Sequence, residues 1–175
     1  MSKKSFNIKE VKIRPVRADD YKDIHEIMSN PEVALDLGTL PWVKEDEIKN
    51  NIEKSKSTER IHLVAEYGGK VIGFASSYYD QDFSRFLTAD VAVAVHRDYQ
   101  NSGVGSCLME KLIQYIKDFT AILRLELGVF ADNENAIKLY KKFGFRQYGR
   151  DKMVGLYKGK MEDHIFMSLH IDRKL

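Results

Sequence analysis

Residues 88–105 read Thr-Ala-Asp-Val-Ala-Val-Ala-Val-His-Arg-Asp-Tyr-Gln-Asn-Ser-Gly-Val-Gly, a strand that passes through a tight turn into a helix. Val91, Val93 and Val95 alternate with small residues, which suits a mostly buried strand. The turn at Gln100 opens a helix whose first N–H groups have no partners within the helix. Those donors and the positive helix end make the turn an anion seat that favours a phosphate. Gly103 and Gly105 carry no β-carbon, so the chain can bend sharply and a ligand can approach the backbone closely.

Two nucleotide-binding signatures fail on this segment. A Walker loop needs Gly-Lys-Ser/Thr at the helix start, because the lysine must reach the terminal phosphates. Here Gly105 is followed by Ser106 and Cys107. A Gly-x-Gly-x-x-Gly dinucleotide fingerprint needs glycine where this chain has Leu108, and an acidic residue ending the next strand, where Phe130 and Ala131 stand.

The turn Gln100-Asn101-Ser102-Gly103-Val104-Gly105 resembles the Gln/Arg-x-x-Gly-x-Gly/Ala turn of the GNAT acetyltransferases. A glycine-bearing loop before an ordinary helix is the plain alternative. A second motif follows the strand-like run 123–130. Asn133-Glu-Asn-Ala136-Ile-Lys-Leu139-Tyr140-Lys-Lys-Phe143-Gly144-Phe145 resembles that family's Asn-x-x-Ala-x-x-Leu-Tyr-x-x-x-Gly-Phe, in the same order and at the same spacing. Ala136, Leu139, Tyr140 and Phe143 recur at i, i+3, i+4 and i+7, one face of a short helix that Gly144 closes. Alone, Tyr140 would read as a core aromatic; coupled to the first motif, it reads as part of a site. The resemblance extends over residues 12–169, and its flavour is closest to bacterial amino-acid and small-amine acetyltransferases, including the phosphinothricin type.

The resemblance implies an α/β GNAT fold, with a mixed, mostly antiparallel sheet of about seven strands flanked by about four helices and one parallel pair beside the anion seat. It implies acetyl-CoA as acyl donor. The seat is then Gln100, Asn101, Ser102, Gly103, Val104, Gly105 and Ser106, and the backbone of Val93, Ala94 and Val95 aligns the pantetheine arm. Asn133 corresponds to the family asparagine near that arm, and it also fits as an N-cap for the helix after it. Tyr140 is the expected general acid for direct attack of an amine on the thioester, since a phenol of reference pKa about 10 stays protonated at neutral pH. The amine must lose a proton, and Glu126, Asp90 and His96 are candidates to take it, directly or through water. An ion pair explains Glu126 equally well, and exposure at a strand end explains His96.

The acceptor pocket is expected from the segment Ser29 to Trp42 and from the last hairpin. Pro31, Leu35, Leu37, Leu40, Pro41 and Trp42 make that segment apolar, with Glu32 and Asp36 interspersed. An apolar wall with a few acids suits a small-molecule amine, an amino acid in particular, ahead of a protein amino terminus or a polyamine. A non-catalytic acetyl-CoA-binding sensor or interaction module is the competing function.

The chain of 175 residues fits a basic arm at 1–10 and a single catalytic domain at 11–171. Lys3, Lys4, Lys9 and Lys12 make the amino-terminal arm basic, and a solvated tail is its plain interpretation. A formal charge of +2, from 28 basic and 26 acidic residues, offers no concentrated basic face for nucleic acid. One cysteine, Cys107, excludes an internal disulfide and a thiolate cluster. It lies in a helical stripe with Val104, Leu108, Leu112, Ile116 and Phe119, as an inert buried thiol would. The five histidines show no His-x-x-x-His pair, so no metal is expected, and no Gly-x-Ser-x-Gly elbow supports a serine nucleophile. No apolar run of about 18 residues and no hydrophobic leader are visible, so the cytoplasm is expected, without a membrane partner. A homodimer is the family-level expectation. The coarse reading places helices at 19–29, 44–56, 104–118 and 134–143. Strands fall at 11–16, 61–67, 71–79, 88–95, 122–130, 146–157 and 161–170, with tight turns at Gly68-Gly69 and at 158–160.

Overall fold

Strands of alternating apolar residues join into one seven-stranded sheet, and the five α-helices among the described residues lie on its two faces. The strands are β1 (Lys12–Pro15), β2 (Arg60–Tyr67), β3 (Lys70–Tyr78), β4 (Thr88–Val95), β5 (Arg124–Phe130), β6 (Arg146–Tyr157) and β7 (Lys160–His170), in the order β1-β2-β3-β4-β5-β7-β6. The helices are α1 (Tyr21–Ser29), α2 (Pro31–Asp36), α3 (Glu45–Lys54), α4 (Val104–Phe119) and α5 (Glu134–Lys142). The computed structural model describes residues 6–54, 60–78 and 87–173; the expected strand end at Tyr79 and helix end at 55–56 lie outside them.

Every strand pair is antiparallel except β4 and β5. That parallel pair is short: Thr88 faces Arg124, Ala89 faces Leu125 and Asp90 faces Glu126, and there the pairing stops. On its other side β4 stays paired with β3 as far as Val95. Beyond Asp90 the two central strands therefore part, and the sheet opens at its middle.

Alternation along β2 shows how the faces are used. Leu63 and Ala65 turn toward α4, whose Val104, Leu108, Met109, Leu112, Ile113 and Ile116 are buried, and Val64 turns toward α1 and α3. Each such side chain removed from water contributes roughly 1.5–3 kcal/mol, so the two apolar clusters hold the split sheet between them. Helix α5 shares the α4 face, with Tyr140 in that cluster, whereas α2 joins the α1 and α3 face through Val33.

Some details depart from expectation. Helix α2 stands where only an apolar segment was expected; Asn30 caps it by accepting from the amides of Glu32 (3.0 Å) and Val33 (3.3 Å), and Pro31 occupies its first turn. Residues 18–20 form a 3-10 turn, so α1 starts at Tyr21. Phe119 is exposed and Cys107 only half-buried, because the buried stripe of α4 runs through its neighbours. In the arm, Phe6 packs against Tyr67 and Tyr99 with ring centroids 5.0 and 5.3 Å apart, while Asn7, Lys9 and Glu10 stay exposed.

Candidate active site

The opening between β4 and β5 forms a cleft of about 940 Å³. At one end lies the turn into α4. Gly103 caps that helix at φ +93°, a left-handed conformation that glycine adopts without a β-carbon penalty. The first backbone bond of α4 runs from the Cys107 N–H to the Gly103 carbonyl (3.1 Å), which leaves the amides of residues 103–106 at the helix start without intrahelical partners. Gly103, Gly105 and Ser106 line the cleft. Lys142, on α5, donates to the Ser106 hydroxyl at 3.1 Å and brings a cation to the seat. Gln100 and Asn101 also line the cleft, while the Val104 side chain lies in the core; Gln100 donates its amide N–H to the Arg97 carbonyl (3.3 Å) and its side chain to the Val95 carbonyl (3.3 Å), and the Ser102 hydroxyl donates to the Tyr99 carbonyl. These bonds brace the bend, and the free donors begin after it.

Val93, Ala94 and Val95 form the next stretch of wall, where the backbone groups of β4 facing β5 have no strand partner. Opposite them runs the start of α5. Asn133 caps that helix by accepting from the Ala136 amide (3.1 Å), and it also borders the cleft. Gly105 leaves room for α5 to approach: a β-carbon there would stand 3.3 Å from Leu139.

Tyr140 is placed by the end of its own helix. Gly144 at φ +89° lets its N–H reach the Lys141 carbonyl (3.0 Å) and the Phe145 N–H reach the Tyr140 carbonyl (3.1 Å), the paired bonds of a Schellman ending. The accompanying contact sets the buried Phe145 ring 5.8 Å from that of Tyr140. Tyr140 is only 7 % exposed, lines the cleft, and its hydroxyl has no hydrogen-bond partner among the described residues. Burial, followed by the negative charge of Asp36, pushes its pKa up to about 12, so the phenol keeps its proton.

Asp36 reaches this place from the opposite face of the sheet. It comes from α2, and it accepts a 2.5 Å hydrogen bond from the hydroxyl of Tyr157 at the end of β6. Burial and that bond raise the Tyr157 pKa well above the usual phenol range. Tyr157 is 1 % exposed and stacks on Phe130 with centroids 4.8 Å apart and planes at 21°. Glu32, Val33, Leu37 and Lys158 complete this end. Of the residues expected at an acceptor wall, Glu32, Asp36 and Leu37 line the cleft together with Tyr157 and Lys158 of the hairpin, whereas Pro31, Leu35, Leu40, Pro41 and Trp42 do not, and Leu40 and Trp42 are largely exposed.

The structure does not bring the expected base candidates together with Tyr140. Glu126 lies on β5 with Arg124 Nε at 2.6 Å and is absent from the cleft wall. Asp90 is exposed on β4, and His96 accepts from the Asp98 amide at 3.2 Å as the cap of a 3-10 turn. Asp36 and Tyr157 were missed as a pair. The acids of residues 29–42 are the signal for the first, and the expectation of a pocket at the last hairpin is the signal for the second, though neither singles out its residue.

The free amides, the cation and the glycine seat fit the diphosphate of coenzyme A, and the unpaired strand edge fits its arm. When bound, acetyl-CoA supplies an acetyl thioester whose thiolate can leave. Among the described residues no group of three or more His, Cys, Asp or Glu could hold a metal ion, and no helix is long and apolar enough to cross a membrane.

Residues 22–145 match the acetyltransferase (GNAT) family. The chain belongs to that family. It is 31 % identical over 159 residues to the L-amino acid N-acetyltransferase AaaT of Escherichia coli strain K12, covering 91 % of this chain and 97 % of that one. Its fold is also similar to an acetyltransferase of Salmonella typhimurium solved with its cofactor acetyl-CoA (26 % identity, TM-score 0.83, 94 % and 96 % of the two chains). The ribosomal-protein-alanine N-acetyltransferase of Brucella melitensis is comparably similar (25 %, TM-score 0.83, 91 % and 99 %).

Proposed function

We propose that this chain transfers the acetyl group of acetyl-CoA directly to the primary amine of a small molecule, an amino acid being the favoured acceptor, with Tyr140 as general acid. One juxtaposition supports this above all: a protonated phenol without a hydrogen-bond partner among the described residues opens into the same cleft as the free amides at the start of α4. The amides and Lys142 hold the diphosphate, the edge of β4 aligns the arm, and the Tyr140 hydroxyl holds a proton for a departing sulfur. Glu126 is proposed to act on the amine proton only through water, because it does not border the cleft.

The amino-acid acceptor is favoured by likeness to the Escherichia coli L-amino acid enzyme along nearly all of both chains, and by the apolar Val33 and Leu37 beside Asp36. That same likeness favours the amino-acid branch over the phosphinothricin branch. Likeness to the Brucella enzyme keeps a protein amino terminus as the second reading. Exposed Met153, Val154 and Leu156 on the edge strand β6 favour a homodimer, which sedimentation would check.

Thiol release from acetyl-CoA, followed across amino acids, other small amines and amino-terminal peptides, tests the function. Release stimulated by amino acids is expected. Coenzyme binding without release by any acceptor would instead establish the sensor module.

A further inference from the structure

We propose that Asp36, held by Tyr157, is the seat for the ammonium group of the acceptor, so that the acceptor enters this cleft as a cation. The proposal rests on the transfer reading above and adds to it the residue that recognises the substrate.

Asp36 differs from the other carboxylates of the cleft in its partner. Glu32 is ion-paired with Arg97, and Glu134 with Lys138 at 2.9 Å. Asp132 is exposed at the end of β5. Asp36 makes no ion pair among the described residues, and the hydrogen bond it accepts comes from a neutral phenol at 2.5 Å. The nearby lysine, Lys158, sets its ammonium 4.7 Å from the centroid of the Tyr157 ring rather than on the carboxylate. A half-buried negative charge is therefore left without a cation, beside a cleft that must admit an amine.

A second observation aims at the same point. Tyr140 is more than nine-tenths buried, its hydroxyl has no hydrogen-bond partner among the described residues, and it feels the charge of Asp36 although the two residues come from opposite faces of the sheet. They meet because β4 and β5 part after Asp90 and Glu126. A group bound to Asp36 thus lies in the opening onto which the phenol faces.

Tyr157 is the positioning residue. Its ring is clamped on Phe130, and Gly155 makes room for that stack, since a β-carbon at Gly155 would lie 2.5 Å from the Phe130 ring. The clamped hydroxyl orients one carboxylate oxygen of Asp36 and leaves the other for the acceptor.

The test uses the full chain loaded with coenzyme A, titrated calorimetrically with L-leucine, L-phenylalanine and n-butylamine, each against the analogue with hydroxyl in place of the amine. At least one amine should bind roughly tenfold or more tightly than its analogue, and Asp36→Asn should abolish that preference while leaving coenzyme affinity unchanged. Tyr157→Phe should raise the acceptor KM about three- to tenfold at unchanged kcat and coenzyme affinity, which separates positioning from loss of fold. An amine preference absent from the wild type, or undiminished in Asp36→Asn, overturns the seat. Loss of amine preference in Asp36→Asn, together with no thiol release by the wild type, would keep the seat and refute the transfer reading. Thiol release with an unchanged preference would do the reverse.

Discussion

Replacing Tyr140 by phenylalanine removes one oxygen from a ring that is otherwise packed against Phe145. The hydroxyl has no partner among the described residues, so its loss orphans no other polar group, and the change in stability should stay within about 0.5 kcal/mol. Catalysis should respond differently. With its pKa pushed up to about 12, the phenol is protonated in all but roughly one molecule in ten thousand or fewer at pH 7.5, which is the form a general acid needs. Loss of that proton donor should slow turnover by roughly tenfold to a thousandfold, or about 1.4–4 kcal/mol of barrier. The assay is kcat from thiol release at saturating acceptor, alongside the acetyl-CoA dissociation constant and the melting temperature; only the first should move. The sign of the pH response follows from the same shift. A phenol that ionises near pH 12 produces no alkaline loss of rate below about pH 11. An unchanged kcat in Tyr140→Phe would refute the general-acid role. A wild-type alkaline limb near pH 9 that the substitution abolishes would instead keep the role and overturn the raised pKa, because it would assign to Tyr140 an ionisation well below 12.

Gly103→Ala should destabilise the fold by about 1–2 kcal/mol and weaken acetyl-CoA binding about fivefold or more, since alanine is strained at φ +93° although its β-carbon would sit at an ordinary 3.7 Å from Ile8; chemical denaturation and calorimetry would check both, and unchanged affinity would remove this bend from the seat. Asn30→Ala should cost about 1 kcal/mol by leaving the amides of Glu32 and Val33 uncapped, and should raise the acceptor KM more than it alters coenzyme affinity, because α2 presents Asp36. His62 is largely buried with no hydrogen-bond partner for Nε2 among the described residues, and desolvation lowers its pKa from 6.5 to about 4. Its folded value lies below its unfolded one, so the unfolded chain takes up the proton first and stability falls as pH drops from about 6.5 toward 4. Between pH 7 and 4.5 the wild type should lose about 2–3 kcal/mol more than His62→Phe in parallel denaturation curves, and parallel decline of the two would count against this account.

The parts of this site that lie close along the chain were legible because local rules write them into sequence. The alternating valines, the glycine at position 103 and the Asn133 to Phe145 run each carry a signal within one strand, turn or helix, and the observed β4, α4 and α5 fall where those signals predict. Asn30-Pro31 was an equally local signal for α2, a cap followed by a first-turn proline, but the apolar residues after it read more readily as a pocket wall. The acidic end of the cleft obeys no local rule. Asp36 and Tyr157 are separated by 121 positions, and they touch because of where a strand pairing ends, not because of what either residue is. Had β4 and β5 stayed paired beyond Asp90 and Glu126, α2 and α5 would face opposite sides of a closed sheet, and neither Asp36 nor Tyr140 would sense the other. Glu126 shows the same limit from the other side. Its alternation with Leu125 and Leu127 sets which face it occupies, as expected, but the face it occupies holds Arg124 rather than the cleft. Which carboxylate serves an amine is decided by the length of one parallel pairing, a property of the whole sheet that no single strand encodes.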